Sequence, residues 1–100
     1  MKGERTDLMT VYIPSNHFEY RAKERLHIKI TPELNQEITV RVQNGLYKGR
    51  KKSKKTAGVY IYELYTGGNL RSLLNNSCGD TLEVVIDEKN GQLLTVYGDY

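Results

Sequence analysis

The stretch TLEVVIDEKNGQLLTVYG (81–98) decides the fold, because it predicts two β-strands joined by a tight turn. Residues 81–87 and 92–98 are rich in β-branched and aliphatic side chains, and Asn90-Gly91 lies between them. Asn-Gly is the strongest short hairpin signal, since both central positions of that turn need a positive φ. The stretch therefore predicts an antiparallel hairpin.

Further strands are predicted before this hairpin by alternation of apolar and polar residues. GVYIYELY (58–65) has the strongest pattern, and MTVYIP (9–14) is a short β-rich run that Pro14 ends. LHIKI (26–30) and EITVRVQ (37–43) both alternate with a period of two, which is typical of a half-buried strand. These runs bring the predicted total to about six short strands.

Only short helices are predicted. SNHFEYRAKERL (15–26) favours a helical turn with Ser15 as N-cap, and NLRSLLNNS (69–77) has leucines at helical spacing after Asn69, a plausible N-cap. TPEL (31–34) indicates a turn or a single turn of helix. Helices and strands do not alternate regularly, so a doubly wound parallel sheet is not expected.

These elements together predict a mainly β fold: a small open antiparallel barrel with one or two short helices. A chain of 100 residues has the length of one domain, and we expect a single β-barrel domain over 1–100. Residues 1–8 are polar and are expected to be flexible.

Positive charge is concentrated in YKGRKKSKKT (47–56), which carries six Lys and Arg and no acidic residue. The whole chain has 15 basic and 12 acidic residues, so removal of these six leaves nine against twelve, a net charge of −3. The basic character therefore belongs to one segment, which points to a polyanionic partner. Because strands flank it, the segment is predicted to be an exposed loop at a hairpin tip.

Catalytic and metal sites are not indicated, and neither is a cofactor. Cys78 is the only cysteine, so no internal disulfide is possible, and we interpret it as a small buried residue. His17 and His27 lack the paired ligands of a zinc site. The sequence shows no signal peptide or membrane span, so we expect a protein that is not secreted: cytoplasmic, with the nucleoid, or nuclear.

Two stretches resemble a known family. VYIPSNHFEY (11–20) is similar to the strand, proline and helix of the B-three-type DNA-binding domain of plant transcription factors. YIYELYTGGNLRSLLNNSCGDTLEVVI (60–86) resembles its later strand, short helix and Gly-Asp turn. The same pseudobarrel occurs in recognition domains of some restriction endonucleases. The resemblance implies an open barrel that binds the DNA major groove with two arms, here residues 1–10 and Tyr47–Thr56.

The charge pattern and the resemblance indicate the same function, a non-enzymatic domain that binds double-stranded DNA. Phosphate contacts are predicted for the basic segment, and Arg50 is the residue expected to reach a base. Arg5, Arg21, Lys23 and Arg25 are expected to form the other edge of the footprint. The predicted DNA-binding residues are Asn16, His17, Arg21, Lys23, Arg25, Tyr47, Lys48, Arg50, Lys51, Lys52, Lys54 and Lys55.

Two alternatives remain open at this point. A barrel that binds RNA or single strands would stack bases on exposed tyrosines. A protein-interaction or inhibitor module would use Tyr60, Tyr62 and Tyr65 as interface anchors. The sequence also leaves open a protein partner or a catalytic domain in the same polypeptide. Gly79-Asp80 has a structural interpretation, a turn in which Asp80 bonds backbone amides.

Overall fold

The computed structural model describes residues 11–75 and 79–98, which form a five-stranded sheet with helices packed against one face. The expected flexibility of residues 1–8, the first arm at 1–10, Arg5 and Cys78 all lie outside this range. In chain order the elements are β1 Ile13–Pro14, α1 Asn16–Arg21, α2 Pro32–Gln43, β2 Tyr47–Lys52, β3 Val59–Tyr65, α3 Asn69–Leu73, β4 Thr81–Asp87 and β5 Gln92–Gly98. A π-helical segment, Ala22–Leu26, continues α1.

The strands lie in the order β1-β5-β4-β3-β2, and every neighbouring pair is antiparallel except β1 with β5. The predicted antiparallel hairpin over 81–98 is therefore confirmed as β4 and β5. The predicted barrel is not, since the sheet stays open with β1 and β2 at its two edges. Helix and strand occupy similar shares of the chain, so the fold is mixed α/β and the mainly β prediction is wrong.

The largest error concerns EITVRVQ (37–43), which is helical and forms the second half of α2. The helix starts where the Thr31 hydroxyl accepts a hydrogen bond from the Leu34 amide at 3.2 Å, with Pro32 at the first helical position. Its buried residues include Leu34, Ile38 and Val42, which are four residues apart and share one helical face. Their spacing fits a helix as well as the alternation fits a strand.

LHIKI (26–30) also does not form the predicted strand. Leu26 ends the π-helical segment, and His27 follows with a left-handed backbone, φ 57°. That conformation reverses the chain direction, and no strand pairs with residues 27–30 within the part of the chain that is described. Ile28 is nevertheless buried, as the alternation predicted.

The short helices occur at the predicted places. The Ser15 hydroxyl accepts a hydrogen bond from the Phe18 amide at 3.0 Å, so Ser15 is the N-cap of α1 as predicted. Helix α3 begins one residue earlier than expected, because Gly68 and not Asn69 is its N-cap. The predicted helical spacing of its leucines is reflected in burial, with Leu70 fully covered.

The turn between β4 and β5 differs in detail from the predicted two-residue turn. Gly91 has the expected positive φ of 65°, but Asn90 does not. The Asp87 carboxylate instead accepts hydrogen bonds from the backbone amides of Lys89 and Asn90 and from the Asn90 side chain, at 2.7 to 3.2 Å. The bond from the Asn90 side chain is the main cause that lowers the pKa of Asp87, and the bonds from the two backbone amides act in the same direction.

The core lies between the helices and one face of the sheet. Strand β4 contributes Leu82, Val84 and Ile86, which are fully buried. Burial of side chains of this size contributes roughly 1.5–3 kcal/mol each. None of the described helices covers the opposite face of the sheet, where Glu63 and Glu83 lie side by side. This open face is therefore acidic at its centre.

Candidate nucleic-acid interface

The basic segment is a strand that leads into a tight tip, not the continuous loop that the sequence predicts. Lys48, Arg50, Lys51 and Lys52 lie on β2, which among the described strands pairs only with β3 and forms one edge of the sheet. All four side chains are exposed. Lysine on an edge strand also discourages pairing with another sheet, so its mere presence does not identify a binding site.

The charges of β2 occupy both faces of this edge. Arg50 pairs with Tyr62 and Lys52 with Tyr60, so both project from the helix-covered face. Lys51 pairs with Ile61 on the open face. The register shifts between Tyr47 and Gly49, which places Lys48 in a bulge. The strand therefore presents cations on both sides of the sheet plane.

The tip of the β2–β3 hairpin is ordered by local hydrogen bonds. The Ser53 hydroxyl accepts from the amides of Lys55 and Thr56 at 3.2 and 3.4 Å. The Ser53 amide donates to the carbonyl of Val59 at 2.8 Å, which closes the tip across the two strands. Lys54 and Lys55 are exposed on this turn. The two lysines therefore extend from a defined backbone.

Lys89 belongs to the same cationic region, although sequence reasoning missed it. The Glu88 amide donates to the carbonyl of Gly58 at 2.9 Å, so the β4–β5 turn is joined to the β2–β3 tip. A Cβ on Gly58 would lie 3.3 Å from the Cβ of Lys89, which shows how close the two turns are. Successive antiparallel hairpins place alternate turns at the same sheet end, and that signal would have located Lys89.

Among the cations of the β2–β3 hairpin, Arg50 is the one whose side chain is held by aromatic contacts. Its guanidinium carbon lies 4.2 Å from the ring centroid of Tyr60, and its Nε donates to the Tyr62 hydroxyl at 3.2 Å. Tyr47 supports this arrangement, since its ring meets that of Tyr62 edge-on with centroids 5.1 Å apart. The two terminal nitrogens of Arg50 make no hydrogen bond to another described residue. They are available as a planar pair of donors.

Glu88 anchors the tyrosines beneath Arg50. Its carboxylate accepts hydrogen bonds from the hydroxyls of Tyr12, at 2.6 Å, and of Tyr62. Burial raises the pKa of Tyr62 to about 12, and the bond to Glu88 acts in the same direction. Burial and the same carboxylate raise the pKa of Tyr12 further. Both hydroxyls therefore remain protonated donors at neutral pH and orient Glu88 toward the protein.

The cations of this region have no acidic partner in the described part of the chain. The ion pairs found there are Arg21–Glu24, Arg41–Glu37 and Arg71–Asp80. Glu88 is bonded to tyrosines and Asp87 to its own turn, although both are close in sequence to Lys89. No ion pair with a described residue therefore neutralises these cations, although the Asp87 carboxylate acts on Lys89 electrostatically. We call the set Lys48, Arg50, Lys51, Lys52, Lys54, Lys55 and Lys89 the basic edge.

The other predicted contact region is remote from the basic edge. Asn16, His17 and Arg21 are on α1, which packs on β5, three strands away from β2. That separation is about 14 Å at the usual strand spacing. Lys23 and Arg25 follow in the π-helical segment, which also packs on β5. The structure does not bring the two predicted regions together.

Two arginines of that second region already have partners within the protein. Arg21 forms an ion pair with Glu24 at 2.6 Å, and this bond lowers the pKa of the Glu24 carboxyl. Arg25 donates to the carbonyl of Val96 at 3.0 Å, and its guanidinium carbon lies 4.1 Å from the Tyr97 ring centroid. Asn16, His17 and Lys23 are exposed, so their contact with DNA stays a prediction.

Other chemistry is not indicated by the described residues. Within 11–75 and 79–98, no three His, Cys, Asp or Glu side chains come close enough to hold a metal ion. No helix in those ranges is long and apolar enough to cross a membrane. Asp80 does not take the predicted capping role in the described contacts; its carboxylate is 3.6 Å from Arg71, and the backbone carbonyl accepts from the Thr66 amide.

Comparison with known proteins finds no family model, curated protein or solved structure that matches this chain. The resemblance of residues 11–20 and 60–86 to the B-three-type domain therefore stays a prediction. The functional argument depends on the geometry and charge of the basic edge.

Proposed function

We propose that this protein binds double-stranded DNA by placing the β2–β3 hairpin, residues 47–65, against the phosphate backbone. The observation that carries the proposal is the basic edge, seven exposed cations at one edge and one end of the sheet that form no ion pair with an acidic residue of 11–75 or 79–98. Clustered Lys and Arg bind DNA by releasing counterions from the phosphates, which gives affinity with little dependence on sequence. The function is binding, with no catalytic step assigned to the chain.

The shape of the hairpin supports duplex DNA as the polyanion. Because β3 is paired with β4 along its whole length, the β2 edge and the hairpin tip are the parts that can enter the major groove of B-DNA, where phosphates border both sides of the inserted element. Because Lys51 and Lys52 project from opposite faces of β2, each reaches a different side of such a groove. The open face of the sheet is unsuited to the contact, since Glu63 and Glu83 would repel phosphates there.

Arg50 is the residue that we assign to base contact. Tyr60 and Tyr62 hold its guanidinium, which reduces the conformational entropy lost when it binds. The free terminal nitrogens match the two acceptors that guanine presents in the major groove. The surrounding lysines are flexible point charges and suit phosphates better than bases.

The alternatives are less well supported by the exposed surface. A single-strand binder needs accessible rings on which bases stack. Tyr62 is only 3% exposed and Tyr60 packs against the core, so neither is a free platform or interface anchor. Tyr65 is 52% exposed, but it lies at the opposite end of β3 from the basic tip. A protein partner or a fused catalytic domain remains compatible with duplex binding.

A pair of matched variants tests this function. Lys51→Gln/Lys54→Gln removes two charges from the basic edge, and Lys23→Gln/Lys29→Gln removes two exposed charges elsewhere. Fluorescence anisotropy with a random-sequence duplex at low salt should show at least about tenfold weaker binding for the first variant. The second variant should differ from the wild type by less than about twofold.

The same titrations separate the competing functions. Single-stranded DNA and RNA of the same sequence should bind more weakly than the duplex. Equal losses in the two variants would show non-specific attraction by net charge and would contradict the assigned interface. Failure of the wild type to bind duplex DNA at low salt would reject the function altogether.

A further inference from the structure

Ser53 lies within the basic edge, but its own side chain carries no charge. It stands between Lys52, the last residue of β2, and Lys54 at the hairpin tip. Its side chain is half-buried, and its hydroxyl oxygen accepts hydrogen bonds from the amides of Lys55 and Thr56 at 3.2 and 3.4 Å. The hydroxyl proton has no acceptor among the described residues. This proton is therefore available for transfer to another molecule.

The residues before Ser53 match the charge pattern that one class of serine kinases selects. Arg50 stands three residues before Ser53, and no other serine or threonine of the sequence has Lys or Arg at that distance. Lys51 and Lys52 complete a run of three cations before the serine. Kinases with carboxylates in the peptide-binding groove select substrates by such patterns. The sequence therefore offers one hydroxyl to an enzyme of this class.

The structure presents this serine in a form that such an enzyme can bind. Kinases take up the residues before the acceptor serine as an extended chain, and residues 50–52 are extended in β2 at an edge of the described sheet. The terminal nitrogens of Arg50 make no hydrogen bond to another described residue, so they can donate to a carboxylate of the kinase. The other described serines belong to helices, since Ser15 caps α1 and Ser72 lies within α3.

We propose that Ser53 is a phosphorylation site for a serine kinase that selects basic residues, and that the modification releases the protein from DNA. The release rests on the proposed function, since it requires that the basic edge holds the duplex. In the reaction, the Ser53 Oγ attacks the γ-phosphorus of ATP bound to the kinase. A bond from Oγ to phosphorus forms, the bond from that phosphorus to the oxygen of the leaving ADP breaks, and the hydroxyl proton passes to a carboxylate base of the kinase.

A phosphate on Ser53 would lie among the cations that hold the duplex. Phosphoserine carries a charge of about −1.5 to −2 at pH 7, so it cancels about two of the positive charges of the basic edge. The amides of Lys55 and Thr56 lie beside the Ser53 Oγ and provide donors that favour a phosphate near the tip. Lys52 and Lys54 adjoin Ser53 in the sequence and would form charge-assisted hydrogen bonds with the phosphate. The attached phosphate therefore competes with DNA phosphates for the same lysines.

The first measurement asks whether Ser53 is modified, and it does not involve DNA. The whole chain is incubated with ATP and the catalytic subunit of cyclic-AMP-dependent protein kinase, which selects arginine three residues before the serine. Mass spectrometry should find a single phosphate, on Ser53, and none on Ser53→Ala. Arg50→Gln should be phosphorylated at least about tenfold more slowly, since it loses the selected charge. Equal rates for Arg50→Gln and the wild type, or no phosphate on Ser53, would overturn the proposal.

The second measurement compares the phosphorylated and unmodified proteins by fluorescence anisotropy on a random-sequence duplex. Phosphorylation should weaken binding at least about tenfold and reduce the salt slope from about −6 to about −4, since about two cations no longer release counterions from DNA. Ser53→Ala removes the hydroxyl without adding charge. It should bind within about twofold of the wild type, because all the cations of the basic edge remain.

Ser72→phosphoserine, introduced by genetic encoding, is the matched control for charge. Ser72 is exposed on α3, which follows β3 at the end opposite to the tip, about 20 Å away along the strand. That distance is about two Debye lengths at 0.1 M salt, so the control should lose less than about twofold in affinity. Equal losses from the two phosphates would show an effect of net charge and would overturn the proposed site.

The outcomes separate this proposal from the proposed function. If the unmodified protein binds the duplex and full phosphorylation of Ser53 leaves its affinity unchanged, release by phosphorylation is wrong and DNA binding stands. If the unmodified protein does not bind the duplex, the proposed function is rejected and the release with it.

Discussion

Strands β4 and β2 belong to the same sheet, yet they differ in almost every respect. β4 pairs on both sides, and three of its seven residues, Leu82, Val84 and Ile86, are completely buried. β2 lies at the edge of the sheet that the described residues form, and it carries four exposed cations in six residues. The first strand holds the core together, and the second presents charge at the surface.

The difference shows that burial and surface charge belong to separate strands, and we infer that stability and the proposed DNA binding depend on separate residues. The buried side chains of β4 exclude water from the core, whereas the Lys and Arg side chains of β2 are exposed to water. Arg50 is the exception, because Tyr60 and Tyr62 connect it to residues of the core. Substitutions in the two strands and in this connection should therefore give three distinguishable results.

The largest effect is expected from Ile86→Ala on β4. Removal of this fully buried side chain leaves a cavity, which should cost about 2–5 kcal/mol of the free energy of unfolding. Urea denaturation followed by circular dichroism measures this change. The matched control on β2, Lys52→Ala, should change stability by no more than about 0.5 kcal/mol. If Ile86→Ala and Lys52→Ala lowered the free energy of unfolding by similar amounts, β4 and β2 would not differ in their contribution to stability.

A smaller effect on stability is expected from Tyr62→Phe. This change removes the hydroxyl that donates to Glu88 and accepts from Arg50, while the ring stays in the core. The cost should be about 1.5–3 kcal/mol, since a hydrogen bond to a charged group is lost. An unchanged free energy of unfolding would show that the Glu88 network contributes nothing to the fold.

The same tyrosine predicts how stability responds to high pH. Its pKa is raised from 10.0 to about 12 in the folded protein, so folding favours the protonated hydroxyl. The contribution of the protonated Tyr62 hydroxyl to the free energy of unfolding is complete below pH 10 and is lost as the pH rises toward 12. Stability of the wild type should therefore fall more steeply over this range than that of Tyr62→Phe. If the free energy of unfolding of the two proteins fell with pH in parallel, Tyr62 would not be the group responsible for the loss.

The smallest predicted effect concerns Arg50, which Tyr60 and Tyr62 connect to residues of the core. Arg50→Lys keeps the positive charge but loses the planar pair of donors and the contact with Tyr60. Duplex affinity should fall about fivefold, and preference for one DNA sequence should fall with it. Lys51→Arg is the control and should change affinity less than about twofold. If Arg50→Lys and Lys51→Arg lowered duplex affinity equally, Arg50 would contact phosphates and not a base.

Several elements could be predicted because local signals agree with tertiary structure. The β4–β5 hairpin followed from alternation and from Asn90-Gly91, although Asp87 organises a different turn from the predicted one. The Ser15 cap followed from residue chemistry alone. The cations of 47–56 were also recognisable, since a run of like charges without carboxylates is visible in any conformation.

Other features depend on packing that a single sequence does not display. Val40 and Val42 favour strands, but the Thr31 cap and the spacing of Leu34 and Ile38 produce a helix that covers the sheet. Because residues 37–43 form part of this helix and not a strand, the sheet stays open and one of its faces is covered by helices. Lys89 joins the basic edge through a hydrogen bond between two turns, 30 residues apart in sequence.

The central claim is that the basic edge binds DNA phosphates, and the salt dependence of binding tests it most directly. The wild type is compared with a variant in which Lys48, Arg50, Lys51, Lys52, Lys54 and Lys55 are all Gln, by fluorescence anisotropy on a random-sequence duplex. The slope of the logarithm of affinity against that of salt concentration should be about −6 for the wild type and about −1 for the variant, which keeps Lys89. Equal slopes for the two proteins would contradict the claim.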